Sequence, residues 1–93
     1  MRDGSKYVGE FQDGEITGNG CRIYEDGTEY VGEFVKGERH GQGEITYGRR
    51  NYREEYYKGA WVMNVRSGYG QLVLRKGHII KGNFENNQPQ GDA

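Results

Sequence analysis

The sequence predicts an all-β protein, a run of consecutive antiparallel β-hairpins forming one elongated, twisted open sheet. Three observations predict it. A pattern of aromatic residues and glycines starts at Tyr7, Tyr30, Tyr57 and Ile80, at intervals of 23, 27 and 23 residues. Segments such as "YVGEF" alternate with period two, as strands do. No stretch carries the 3.6-residue apolar period of an amphipathic helix.

Within each copy the positions agree closely. Two residues after each start come Gly9, Gly32, Gly59 and Gly82, and four after come Phe11, Phe34, Trp61 and Phe84. Seven after come Gly14, Gly37, Asn64 and Asn87, and eleven after come Gly18, Gly41, Gly68 and Gly91. The first element of a copy is therefore a short strand that sends Tyr30, Gly32 and Phe34 to one face and Val31 and Glu33 to the other. The seventh position admits only Gly or Asn, the residues that best tolerate positive φ, so a turn belongs there. "GQGEITY" follows as a second strand with Ile45 and Tyr47 on one face, which completes a hairpin.

Asp26-Gly27 and Lys76-Gly77 supply the turns that lead into the next copy. Between the second and third copies the linker is "YGRRNYREEYY" rather than "YEDGTEY", an insertion within 48–56 that lengthens one turn by four residues. Pro89, the single proline, falls at the expected last turn, and the fourth copy is expected to stop after its first strand. Strand glycines normally weaken a sheet, but here they recur between a Tyr and a Phe. They leave a notch in which a ring from a neighbouring strand can lie over bare backbone. Residues 1–93 thus read as one repeat array, either short or an excerpt of a longer one, since "RDGSKY" matches the "EDGTEY" that precedes Tyr30.

Composition narrows the function classes. The chain has 93 residues, 32% of them hydrophobic, too little aliphatic material for a thick core. Eight Tyr, three Phe and one Trp at regular spacing argue against a disordered linker. One Cys, Cys21, excludes an intrachain disulfide, and His40 and His78 without further thiols make no zinc set. With no signal-peptide pattern, a reducing cytoplasmic setting is the expectation. The net charge of −1 is unevenly spread: residues 1–47 hold 5 basic and 10 acidic groups, residues 48–93 hold 8 and 4.

No nucleophile stands beside a base, and the carboxylates fall at turns and strand faces, so no enzyme is read. Glu10 and Glu33 read as solvent-facing strand residues or partners of basic groups, His40 as a surface or hydrogen-bonded group, and Cys21 as a packed small residue. "GNG", "GQG" and "GYG" lack the strand-then-helix setting of a phosphate loop, and the net charge argues against nucleic acid. No cofactor or metal is expected.

The pattern "YVGEFVKGERHGQG" resembles the MORN repeat, close to Y-x-G-x-W/F-x-x-G-x-x-H-G-x-G. His40 supplies its histidine, which Thr17, Ser67 and Gln90 replace in the other copies. The resemblance implies stacked β-hairpins in an open, curved sheet. It also implies a scaffold or targeting role, as in radial spoke head proteins of cilia, junctophilins, plant phosphatidylinositol phosphate kinases and the segment ahead of a lysine methyltransferase domain. Cytoskeletal, ciliary or membrane-associated placement follows from the same resemblance.

Two binding readings result. The row Tyr7, Phe11, Tyr30, Phe34, Tyr57, Trp61 and Phe84 lines one face and offers aromatic edges to a protein segment, while also forming the thin core. The alternative is attachment to anionic phospholipid through Arg49, Arg50, Arg53, Lys58, Arg75 and Lys76, within a basic cluster that also includes Arg66 and Lys81. Self-association through open sheet edges is a further expectation.

Overall fold

The computed structural model describes residues 4–48, 51–86 and 88–90. It is a single antiparallel sheet of eight strands in chain order: β1 (Lys6–Gln12), β2 (Glu15–Ile23), β3 (Glu29–Val35), β4 (Glu38–Thr46), β5 (Glu54–Val62), β6 (Val65–Leu74), β7 (Ile79–Glu85) and β8 (Gln88–Gln90). Each strand pairs only with its sequence neighbours, so the sheet stays open.

The hairpin turns have two residues. Lys36 and Gly37, with φ of 50° and 84°, separate the pair Val35↔Glu38, and Met63 and Asn64, at 48° and 70°, separate Val62↔Val65. Two successive positive φ values match the twist of the flanking strands, and this is why the seventh position is Gly or Asn. Between hairpins, Tyr24 N–H donates to Thr28 O at 2.7 Å and Leu74 N–H to His78 O at 2.8 Å, closing tight turns around Gly27 and Gly77.

Three expectations are corrected. The second strand of each hairpin starts directly after the turn, at Glu38 rather than Gly41, because a bulge intervenes. Gly32 pairs with Gly43 but Phe34 with Arg39, leaving His40, Gly41 and Gln42 opposite Glu33 alone. Pro89 lies in β8 opposite Phe84, not in a turn, on an edge strand where its missing N–H breaks no central ladder. The fourth copy accordingly begins a second strand. Asn87 and Gly91 lie outside the described residues.

The core is a chain of edge-to-face rings. Tyr7 meets Phe34 at 5.3 Å between ring centres, Tyr30 meets Trp61 at 5.6 Å, and Tyr57 meets Phe84 at 5.0 Å, each pair joining one copy to the next. Tyr30, Phe34, Tyr57, Trp61 and Phe84 are 0–3% exposed, and Ile45, Leu72 and Leu74 complete the cluster. No second layer covers this face among the described residues. Burial so complete on one side of a single sheet requires the sheet to curl around its own rings, so the aromatic face is the inner one. Val8, Val31 and Val62 mark the outer face, exposed by 77%, 53% and 43%.

Candidate interaction surface

A glycine row prepares the inner face. Gly9, Gly20, Gly32, Gly43, Gly59, Gly70 and Gly82 are successive cross-strand partners over seven strands. A methyl group at Gly43 would lie 2.5 Å from Cε1 of Tyr30, so the ring occupies the space that the glycine leaves. Tyr30 Oη then donates to Glu33 O at 2.8 Å, and Tyr7 and Tyr57 donate likewise to Glu10 O and Ala60 O. Burial pushes the Tyr30 hydroxyl up to about 12 and raises Tyr57 as well.

Glu10 and Glu33 are more than solvent-facing. Each folds its carboxylate onto the bulge opposite, accepting from Asn19 N–H and Gln42 N–H at 2.5 Å. The third copy has Ala60 at this position and Tyr69 at the bulge, so that anchor is replaced by an apolar contact at Gly68.

Neighbouring hairpins are fastened at their turns. The histidine position of the repeat is an acceptor: Thr17 Oγ1 takes Lys36 N–H at 3.1 Å, and His40 Nδ1 takes Met63 N–H at 3.3 Å. The residue before it supplies a carbonyl, Ile16 O for Gly37 N–H at 2.8 Å and Arg39 O for Asn64 N–H at 2.9 Å. His40 is thus hydrogen-bonded, as the sequence suggested. A Thr replaces it because both side chains present one acceptor.

Arg39 and Arg66 occupy the same repeat position and cover the ring row. The Arg39 guanidinium lies 4.7 Å from the Trp61 ring centre and donates through Nη2 to Asn64 O at 3.1 Å. The Arg66 guanidinium sits 5.6 Å from Tyr57 and 5.7 Å from Phe84. Its Nη1 also binds Glu54 Oε2 at 3.0 Å and Tyr47 Oη at 3.2 Å. Glu54 comes from the end of the insertion, where Asn51 orders it by accepting from Glu54 N–H at 2.7 Å and donating to Glu54 Oε1 at 3.0 Å.

In front of Arg39 the corresponding space is open. Tyr24, Asp26, Thr28, Arg39, Ile45 and Tyr47 line a cavity of about 230 Å³. Ile45 is buried, and the half-buried rings of Tyr24 and Tyr47 belong to successive copies. Asp26 is held by Thr28 N–H at 3.0 Å, and Thr28 Oγ1 accepts from Gly48 N–H at 2.9 Å, which ties this rim to the start of the insertion. Burial raises the Tyr47 hydroxyl, and Arg66 partly offsets the rise.

The ring row named from the sequence is brought together, but as interior. Tyr30, Phe34, Tyr57, Trp61 and Phe84 have no surface to offer, whereas Phe11 is 62% exposed and Tyr7 partly so. The basic candidates are not gathered on one face. Lys58 stands on the outer face between Glu44 and Gln71. Arg53, Arg75 and Lys76 line a cavity of about 370 Å³ with Tyr52 and Leu74 at the insertion. Arg75 spends its guanidinium on the carbonyls of Asn51, Tyr47 and Gly48 at 2.8–3.0 Å. Arg66 is buried, which removes it from the cluster, and Arg49 and Arg50 lie outside the described residues.

Cys21 is partly exposed on the outer face, its thiol directed at Glu29 Oε2 at 3.5 Å and raised chiefly by burial. The rim residues Tyr24, Arg39 and Tyr47 were missed as site candidates. Their signal was the tyrosine recurring seventeen residues after the first two starts, where the third copy has Leu74.

Among known families, the model of the MORN repeat matches residues 7–29, 30–51 and 57–79. No curated protein matches the chain. Three matched copies, the hairpin sheet and the Tyr-Gly-Phe interior agree, and the chain belongs to the MORN-repeat family, whose members are non-enzymatic repeat modules commonly engaged in protein or membrane interaction.

Proposed function

We propose that this protein is a non-enzymatic scaffold module that binds a segment of a partner protein on the inner, aromatic face of its sheet, at the cavity between Tyr24 and Tyr47. The observation that carries this reading is the cavity itself. At about 230 Å³ it is smaller than the roughly 300–1,000 Å³ of small-molecule pockets and suits one protruding side chain. Its walls are two tyrosines and Ile45, and its polar groups are Arg39 and Asp26, the mixture typical of interface anchors. Membership of a cytoskeletal or ciliary assembly is part of the proposal and is supported by the family resemblance.

Attachment to anionic lipid is the competing reading, and Lys58 standing apart from the Arg53, Arg75 and Lys76 cavity, with the Arg75 guanidinium engaged by loop carbonyls, supports it less. Peptides selected from a random library against the whole chain decide the matter. They are expected to lose roughly 5- to 30-fold in affinity to a Tyr24→Ser variant of unchanged circular dichroism, about 1–2 kcal/mol for a contact residue. Equal binding to both proteins refutes the site. Salt-sensitive sedimentation with anionic liposomes, combined with failure to select any peptide, would favour the lipid reading instead.

A further inference from the structure

One copy of the array displays an ion pair whose parts are nearly all repeated in the copy before it. Arg66 and Arg39 stand nine residues after Tyr57 and Tyr30. Arg66 Nη1 donates to Glu54 Oε2 at 3.0 Å and to Tyr47 Oη at 3.2 Å. Tyr24 matches Tyr47, seventeen residues after its start, and the buried Ile45 matches the buried Leu72 at the fifteenth. The carboxylate is what changes. Glu54 stands three residues before Tyr57, whereas the same position before Tyr30 is Gly27, where a methyl group would meet nothing within 4 Å. The place that Glu54 fills in one copy is thus the open cavity of Tyr24, Arg39 and Tyr47 in the other.

That cavity presents donors without acceptors. Arg39 directs Nε and Nη2 at Oδ1 and O of Asn64, at 3.3 and 3.1 Å. Its Nη1, the nitrogen that holds the carboxylate in Arg66, meets no acceptor among the described residues, and neither does the Tyr24 hydroxyl. The guanidinium is already ordered by Asn64 and by the Trp61 ring at 4.7 Å, so a guest need not immobilise it. Arg22 adds a second guanidinium 5.1 Å from the Tyr24 ring. Asp26 is the opposing charge on the lining, and its Oδ1 accepts from Thr28 N–H at 3.0 Å. We propose that the cavity takes a glutamate side chain of the partner segment, bonded to Arg39 Nη1 as Glu54 is to Arg66. The proposal rests on the reading that a partner segment enters here, and it adds the chemistry of the entering residue. A basic guest would face the Arg39 guanidinium, and an apolar one would cover Nη1 without giving it an acceptor, which is costly for a charged donor.

Peptides selected from a random library against the whole chain test the proposal. They are expected to share one glutamate, and its exchange for glutamine to weaken binding about 10- to 100-fold in titration calorimetry, the worth of a hydrogen bond to a charged group. Against Arg39→Gln of unchanged circular dichroism the same exchange is expected to cost under about 3-fold, since the two changes remove one contact. Asp26→Asn keeps the acceptor for Thr28 N–H and removes the like charge, so it is expected to tighten the peptides, whereas it would loosen a basic guest. Should Arg39→Gln fail to fold, the peptide exchange and Asp26→Asn decide. Peptides that lose affinity to Tyr24→Ser but tolerate glutamine at every acidic position would overturn the glutamate and leave the cavity reading standing. Peptides indifferent to Tyr24→Ser, or none at all, would overturn both.

Discussion

Replacing Trp61 separates a core role from a binding role for the aromatic row. Its ring is 2% exposed, stands edge-on to Tyr30 and Tyr57 at 5.6 and 5.2 Å, and lies under the Arg39 guanidinium at 4.7 Å. Its Nε1–H donates to Gly43 O at 3.2 Å. Trp61→Ala should therefore cost about 3–5 kcal/mol, as buried aromatic truncations do. A chain of this size carries roughly 5–14 kcal/mol in all, so the variant sits near the limit of folding. Trp61→Phe keeps a ring of the kind its sister copies use and loses mainly the indole hydrogen bond, about 0.5–1.5 kcal/mol, plus some area. Urea titration followed by far-ultraviolet circular dichroism measures both, since the signal does not depend on the single Trp. A Trp61→Ala midpoint within about 0.5 kcal/mol of the parent would refute the argument. It would return this ring to the surface, where the sequence reading had left its edges available.

Three further outcomes follow from the same geometry. Gly43→Ala should cost about 2–4 kcal/mol, overpacking against Tyr30 plus its displaced hydrogen bond, as denaturant titration would show; a loss under 0.5 kcal/mol contradicts it. The Tyr30 hydroxyl, pushed up to about 12 by burial against the ordinary 10, stabilises the fold fully below pH 10. That contribution, on the order of 2–3 kcal/mol, is lost as pH rises toward 12, because the unfolded chain ionises first. Tyr30→Phe should make that alkaline limb shallower, the buried Tyr47 and Tyr57 hydroxyls carrying what remains, and an unchanged limb would refute the share assigned to Tyr30. Arg75→Ala should leave the ring core intact while exposing the Tyr47, Gly48 and Asn51 carbonyls, read as faster amide exchange confined to 47–55.

Much of the fold was legible because repetition multiplies weak signals. One Gly at a seventh position says little, but Gly14, Gly37 and Asn64 at the same place require a turn of positive φ. The strand alternation, the turn and the notch that Tyr fills over glycine all follow from residue types at fixed spacing. The bulge did not: Glu33 reaches across it to Gln42, but the third copy keeps the same bulge opposite Ala60, and alternation alone gives no sign of either. The site was less legible. A row of rings on one face looks the same in sequence whether the sheet is flat, leaving edges bare, or curled, leaving none. The curl comes from bulges and glycine contacts repeated over seven strands, and it decided that Trp61 and Phe34 are interior.

The insertion shows how one array makes its copies unequal. Arg39 and Arg66 are equivalent, and each covers the rings below it. The longer linker gives Arg66 a carboxylate, Glu54, fixed by Asn51 and clamped in place by Arg75 on the loop carbonyls. An Arg that is buried, ion-paired and bonded to Tyr47 Oη is part of the core, and withdrawing it from water without Glu54 would be costly. The insertion therefore completes the inner face around the third copy and ends there, leaving the space before Arg39 open with Tyr47 as the shared wall. A single lengthened turn is enough to convert an even row of positions into one finished end and one vacant cavity. Under the proposed function, the position of that turn in the array sets where the partner segment enters.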